Sequence, residues 1–143
     1  MLVKYNEIVH QKQPCKWSCA ATCVAMATGV DVNITLDIAA EYGLHLPLEA
    51  GAVYGMLVKA DILPVKVDNL IHASFDPNRI YIVDKASGRD KLHSILIVNN
   101  IDNGKVYIYD PELDSEYVFQ DGGPRPVHVS VEALYDCSGY FAE

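Results

Sequence analysis

The character of the chain changes near Leu63, and this change limits the folds that it can adopt. Before this point an apolar run at residues 18–28 lies between Ser18, a favoured N-cap residue, and Gly29, a favoured residue at helix ends. Two more helices are predicted, at residues 36–42 and 49–60. After this point, short β-branched or aromatic runs alternate with turn residues, at 65–67, 80–83, 93–101, 106–110 and 116–119. Helices followed by a mostly antiparallel sheet predict an α+β fold, in a single domain over residues 1–143.

Two further features of the second half can be predicted. Asn103-Gly104 is a strong signal for a hairpin between the runs at 93–101 and 106–110. The last patterned segment, residues 130–135, is predicted to form a short helix or a single helical turn.

The predicted hairpin places His93 and Asp110 on one face of the sheet, because side chains along a strand alternate between its two faces. Two registers are open. With Asn100 opposite Lys105, Asp110 falls diagonal to His93, and diagonal neighbours are about 7–8 Å apart at Cα. A tighter turn, with Asp102 opposite Lys105, increases the distance that the two side chains must span to meet. The shared face holds in both registers.

A thiol and an amide lie at the start of the first predicted helix. Cys19 opens the helix, and Gln13 lies six residues before it. The positive end of the helix dipole favours a thiolate, and a side-chain amide can donate a hydrogen bond to a developing oxyanion. A thiol nucleophile, a histidine base, an aspartate that orients the base and an oxyanion donor together make a thiol hydrolase. The candidate catalytic residues are Cys19, His93, Asp110 and Gln13.

Other interpretations of these residues remain open. Cys19 could be a buried apolar residue, as unpaired cysteines often are. Cys15 is a rival nucleophile, but Val9 rather than a glutamine lies six residues before it. Cys15, Cys19 and Cys23 could bind zinc, yet their spacing is helical rather than the paired Cys-x-x-Cys of structural zinc sites. No metal and no cofactor are therefore predicted. The histidines without a comparable partner, expected at the surface or in packing, are His10, His45, His72 and His128.

The composition limits the classes of partner and the cellular compartment that we expect for the protein. The chain has 11 basic and 19 acidic residues, a net charge of −8, which argues against nucleic acid and anionic membranes as main partners. No apolar run approaches the roughly 18 residues of a membrane span, and no signal-peptide pattern opens the sequence. Cysteines spaced by four residues on one helix are poorly placed for disulfides. We expect reduced thiols in a protein that is cytoplasmic when folded, or is delivered without a classical signal peptide.

The ordered set of motifs resembles the peptidase domain that removes double-glycine leaders from bacteriocins, within the papain-like superfamily. The resemblance covers nearly the whole chain and rests on Gln13, Cys19, the following Ala20-Ala21-Thr22-Cys23-Val24-Ala25-Met26, the strand opened by His93, the strand ending Asp110-Pro111, and segments 129–134 and 138–140. It implies a papain-like fold with N-terminal helices on a mostly antiparallel sheet. By this likeness Cys19 is the nucleophile and His93 is the base and later the acid. Asp110 orients the imidazole, and Gln13 is the oxyanion donor.

The resemblance implies a cysteine endopeptidase that acts on a protein or peptide, after small residues and glycine above all. Ala20 departs from the glycine that usually follows the nucleophile, and the chain shows no membrane segment of the transporter that often carries such domains. Related papain-like domains also occur alone as toxins delivered into bacteria or hosts, in which case an immunity protein would block the cleft. Two alternatives stay open. One is a glutamine deamidase or transglutaminase with the same Cys-His-Asp order, and the other is an inactive papain-like binding module.

Overall fold

Two helices and a six-stranded antiparallel sheet make up the part of the chain that the structure describes. This computed structural model describes residues 3–16, 18–41, 65–66, 79–86, 92–100, 102–119 and 131–136. The helices are α1 (Cys19–Thr28) and α2 (Val32–Glu41). The strands are β1 (Val65–Lys66), β2 (Ile80–Ala86), β3 (Leu92–Asn100), β4 (Lys105–Tyr109), β5 (Tyr117–Val118) and β6 (Val131–Asp136). Their order in the sheet is β1-β6-β2-β3-β4-β5, with every pairing antiparallel, so the predicted α+β class is confirmed.

Helix α1 lies at the centre of the core because its sequence is almost entirely small and apolar. Every residue from Cys19 to Ala27 is buried, and four of the ten residues are alanine. Alanine leaves little bulk between a helix backbone and its neighbours, so α1 packs closely on both α2 and β3. Its partners in the sheet include Ile82, Leu96 and Val98. Helix α1 therefore packs on the face of the sheet that carries these three residues.

The two ends of α1 are built differently from each other. Gly29 ends the helix as predicted, with φ of +71° and its N–H donating to the carbonyl of Ala25. Ser18 occupies the N-cap position, but its hydroxyl makes no cap hydrogen bond. The hydroxyl instead accepts from the N–H of Cys15 and donates to the carbonyl of the same residue. Ser18 therefore fixes the approach to the helix rather than satisfying its first turn.

Helix α2 begins at Val32, four residues before the predicted start at Leu36. Asp31, which was not predicted as a helix start, sets this boundary. Its carboxylate accepts the N–H of Asn33 at 2.9 Å, and its carbonyl accepts the N–H of Ile34 at 2.9 Å. These contacts satisfy N–H groups that a helix start otherwise leaves unpaired. The side chain of Gln11, from the N-terminal segment, accepts the N–H of Val32 at 2.9 Å. That last contact is long-range and could not be read from the local pattern.

The β3–β4 hairpin adopts the first of the two predicted registers, with Asn100 opposite Lys105. Gly104 has φ of +69°, and its N–H donates to the carbonyl of Asn100 at 2.8 Å. Positive φ costs glycine little, which is why the Asn-Gly pair suits this turn. The register pairs Leu96 with Tyr109, so that Asp110 follows directly after the last paired residue of β4.

Both faces of the central strands are buried. One face carries Leu96 and Val98 toward α1, and a second cluster, on the alternate residues of β2, β3 and β4, contains Tyr81, Val83, Ile95, Ile97 and Ile108. Burial on both faces explains why these segments read as almost continuous apolar runs in the sequence.

The segment at residues 130–135 was predicted to be helical, and this prediction is wrong. Residues Val131–Asp136 form β6, which lies between β1 and β2. Asp136 is opposite both Val65 and Tyr81, so the strand is paired on each side. A six-residue segment is too short for its apolar spacing to separate a helix from a strand, and pairing with two distant strands decides the outcome.

Several predictions fall outside the described residues. They are the helix at 49–60, the ends of three segments at Tyr42, Val67 and Ile101, and the glycine at 43 that was expected to end the second helix. Three histidines expected at the surface or in packing, His45, His72 and His128, also lie outside the described residues, as do positions 129–130 and 138–140 of the motif resemblance. Within the described residues no single helix is long and apolar enough to cross a membrane; α1 and α2 pass that test only as a pair, which is bent by 116°.

Candidate active site

His93 and Asp110 form a short, buried hydrogen-bonded pair. Nε2 of His93 lies 2.7 Å from Oδ1 of Asp110, and the His93 side chain is only 7% exposed. His93 is the second residue of β3, and Asp110 is the residue after β4. The predicted shared face is therefore confirmed by direct contact. A carboxylate at this distance accepts the Nε2 proton and fixes the tautomer and orientation of the ring.

Asp110 is itself held by the turn that it opens. Its Oδ1 accepts the N–H of Glu112 at 3.0 Å, and its carbonyl accepts the N–H of Leu113 at 3.0 Å. Pro111 stands between them, at a turn position where its fixed φ is favourable. The Asp-Pro turn therefore ends β4 and also positions the carboxylate. The oxygen that contacts His93 accepts a hydrogen bond from the backbone two residues later.

Cys19 meets the imidazole where α1 and β3 both begin. Strand alternation puts His93 on the face of Ile95 and Ile97, whereas α1 packs on the opposite face. The thiol nevertheless hydrogen bonds with His93; Cys19 is the first residue of α1, and His93 is the second residue of β3. Since Asp110 occupies Nε2, Nδ1 is the ring nitrogen left to exchange a proton with the sulfur.

The pKa of the Cys19 thiol is lowered and the pKa of the His93 imidazole is raised, so both shifts favour the charged form of the group. Burial raises the pKa of the Cys19 thiol, but the hydrogen bond with His93 and the backbone N–H groups of Ser94 and Ala20 outweigh it, so that the pKa is lowered. Burial lowers the pKa of His93, but hydrogen bonds to Asp110 and Cys19, together with their charges, raise it to about 9. Both shifts favour a thiolate beside an imidazolium over the neutral thiol–imidazole pair.

Gln13 belongs to an N-terminal strap, residues 10–13, that lies along the Asp110 turn. The N–H of Gln13 donates to the carbonyl of Pro111 at 2.8 Å. Lys12 Nζ lies 2.8 Å from Oδ1 of Asp114, and Nε2 of His10 lies 2.7 Å from the carbonyl oxygen of Leu113. The structure thus brings Gln13 beside the residue that follows Asp110. Its Oε1 is buried without a hydrogen-bond partner among the described residues, and its role as oxyanion donor stays a prediction.

The other described cysteines lack the environment of Cys19. Cys15 is exposed and precedes the helix, whereas Cys23 is fully buried in the core cluster of α1. Cys15, Cys19 and Cys23 all carry thiols rather than disulfides, as expected from their spacing. The hydrogen bond with His93 distinguishes Cys19 from the rival Cys15.

One contributor to the site, Glu112, was not predicted from the sequence. Glu112 brings Oε1 to 3.8 Å from Nδ1 of His93, which follows from its position in the Asp-Pro-Glu turn two residues beyond Asp110. His10, expected at the surface or in packing, stacks on the ring of Tyr109 with centroids 6.2 Å apart, which agrees with that prediction. His93, Asp110 and Glu112 place possible metal-binding atoms within 4.8 Å of one another, the single group of this kind within the described residues. The short His93–Asp110 bond already pairs two of them.

The sequence matches no family model and no curated protein. The function must therefore be inferred from the geometry of Cys19, His93 and Asp110 and from the resemblance of the motifs.

Proposed function

We propose that the protein is a papain-like cysteine endopeptidase with Cys19 as its nucleophile. The observation that carries the proposal is the chain of contacts from the Cys19 thiol to His93 and from His93 to Asp110 at 2.7 Å. An inactive binding module has no chemical need for a thiol of lowered pKa beside an imidazole whose pKa is raised to about 9. The α+β fold, with a thiol at the start of a core helix, is compatible with a papain-like architecture.

In the first half of the reaction, the Cys19 thiolate attacks the carbonyl carbon of the scissile peptide bond. The carbonyl electrons move to the oxygen and form an oxyanion. As the C–N bond breaks, Nδ1–H of His93 gives its proton to the leaving amine, and an acyl thioester remains on the sulfur. Asp110 accepts a hydrogen bond from Nε2–H throughout, so Nδ1 stays directed toward the reacting atoms.

In the second half, the now neutral His93 takes a proton from water, and the resulting hydroxide adds to the thioester carbon. Collapse of this second oxyanion expels the thiolate, and the imidazolium–thiolate pair is restored. Two donors would hold the oxyanion in both halves, the backbone N–H of Cys19 and the side-chain amide of Gln13. Removal of one such donor typically costs about 10²–10³ in rate.

The motif resemblance extends the proposal to the substrate. Double-glycine peptidases exclude side chains next to the cleaved bond, so we expect this protein to cleave after glycine or another small residue. A delivered toxin that cuts a cytoplasmic protein would fit the same chemistry, and its partner in the producing cell would be an immunity protein that covers Cys19.

The cleavage of proteins in a bacterial lysate tests the proposal directly. Native lysate is incubated with the wild-type protein or with Cys19→Ala, and new N-termini are labelled and identified by mass spectrometry. Cys15→Ala, which removes the exposed thiol nearby, is the matched control. The proposal expects new termini with wild type and Cys15→Ala and none with Cys19→Ala. A lysate with no new termini, but with Cys19-dependent conversion of glutamine to glutamate or to cross-links, would favour the deamidase or transglutaminase instead.

A further inference from the structure

The position of Glu112 bears on which substrates the site accepts, and this inference rests on the proposed function. Its Oε1 lies 3.8 Å from Nδ1 of His93, too far for a hydrogen bond. The side chain is 58% exposed, so it lies at the opening of the site rather than within the core. The hydrogen bonds that position His93 use Nε2 and Asp110, which leaves the Glu112 carboxylate without a role in orienting the ring.

The chemistry fixes which part of the substrate lies next to Glu112. The leaving amine must come within hydrogen-bond reach of Nδ1, about 2.6–3.2 Å, to receive its proton. That nitrogen belongs to the residue immediately after the cleaved bond. Since Glu112 Oε1 is 3.8 Å from the same Nδ1, the carboxylate and the leaving nitrogen lie within about 7 Å of each other. The stem of a lysine or arginine side chain can span such a distance.

The backbone of Glu112 is fixed and its charge is available. Its N–H donates to Oδ1 of Asp110 at 3.0 Å, so the residue moves with the catalytic turn rather than independently of it. Among the described residues, the ion-pair partner of Glu112 is His93 itself, and this partner loses its charge when it protonates the leaving group. Lys12, the nearby cation of the strap, is already paired with Asp114 at 2.8 Å.

We propose that Glu112 selects substrates with lysine or arginine directly after the cleaved bond. A cationic side chain there would pair with the carboxylate while the amine of the same residue faces Nδ1. The protein would then cut between a small residue and a basic one, and its products would begin with lysine or arginine. Because the pair is partly exposed, the expected preference is modest, roughly two- to fivefold in kcat/KM, and it should weaken as salt is raised.

Two synthetic peptides test this inference. They reproduce one cleavage sequence found in the lysate and differ only at the residue after the cut, which is lysine in one and glutamine in the other. The ratio of their kcat/KM values is measured for wild type, Glu112→Gln and Glu112→Lys. The matched control is Glu116→Gln, which removes an exposed carboxylate from the same loop without touching His93.

The inference expects a lysine preference in wild type and Glu116→Gln, its loss in Glu112→Gln, and a preference for glutamine in Glu112→Lys. Labelling of Cys19 by iodoacetamide checks that each variant keeps its folded site. Equal rates on both peptides with wild type, or an unchanged ratio in Glu112→Gln, would overturn the inference and leave the peptidase proposal standing. If no cleavage depends on Cys19, the peptidase proposal and this inference fail together.

Discussion

Nε2 of His93 lies 2.7 Å from Oδ1 of Asp110, and the two residues are 17 positions apart in the chain. The β3–β4 hairpin brings them together, and the turn after β4 fixes the carboxylate by a second hydrogen bond from the N–H of Glu112. The pair is almost fully buried, so the electrostatic influence of Asp110 on the imidazole is little screened by water. Removal of this carboxylate should therefore change the reactivity of the Cys19 sulfur.

Asp110→Ala should slow the alkylation of Cys19. The Asp110 hydrogen bond raises the pKa of His93, so its loss lowers that pKa and reduces the imidazolium that stabilises the thiolate. We expect peptidase activity to fall by about 10²-fold or more, and the alkylation rate of Cys19 at pH 6 to fall as well. The measurement is the rate of iodoacetamide adduct formation by intact mass. Asp114→Ala, which removes an exposed carboxylate from the strap contact, should leave that rate near the wild-type value.

The pH profile of peptide cleavage should be bell-shaped. On the acid side, activity rises with pH as the thiol ionises. This limb should lie at a lower pH than for an ordinary cysteine, because the pKa of Cys19 is lowered. On the alkaline side, activity falls near pH 9, because His93, with its pKa raised to about 9, loses the proton that the leaving amine requires. The profile is measured as kcat/KM on one peptide from pH 4 to 10. An alkaline limb near pH 6.5, the ordinary histidine pKa, would contradict the contacts described for His93.

Gln13→Ala should separate oxyanion stabilisation from thiol activation. A lost oxyanion donor costs about 10²–10³ in kcat, whereas the alkylation of Cys19, which forms no oxyanion, should change little. Gln11→Ala is the matched control, because that amide binds the backbone of Val30 and Val32 instead. We expect Gln11→Ala to lower the free energy of unfolding by about 1–2 kcal/mol, with kcat retained. Equal losses of alkylation and kcat in Gln13→Ala would assign Gln13 to structure.

Gly29→Ala should destabilise the fold more than Gly104→Ala. Both glycines have positive φ, near +70°, so each substitution carries a backbone cost of about 1–2 kcal/mol. At Gly29 the added Cβ would also come within 2.6 Å of Cγ1 of Val3, whereas nothing lies within 4 Å at Gly104. Urea unfolding of the two variants measures the difference. Equal losses would show that the Val3 side chain moves aside without cost.

The contact between His93 and Asp110 could be predicted from the sequence, whereas the position of the last strand could not. Strand alternation and the Asn-Gly turn are local rules, and together they predicted the shared face of His93 and Asp110, which the structure confirms. The strand at residues 131–136 was missed because its pairing with β1 and β2 joins segments far apart in the chain. Glu112 was missed because nothing in the local pattern separates a carboxylate that faces His93 from one that faces solvent.

Cys19 and His93 are expected to act as one chemical unit, and intact-mass labelling decides whether they do. Wild type, Cys19→Ala, His93→Ala and Cys15→Ala are treated with iodoacetamide at pH 6.5, and the adduct is mapped. We expect one fast adduct on Cys19 in wild type and in Cys15→Ala, and a sharply slower reaction in His93→Ala. If Cys15 reacts as fast as Cys19, or if the loss of His93 leaves the rate unchanged, the thiol is not activated by the imidazole and the peptidase assignment is wrong.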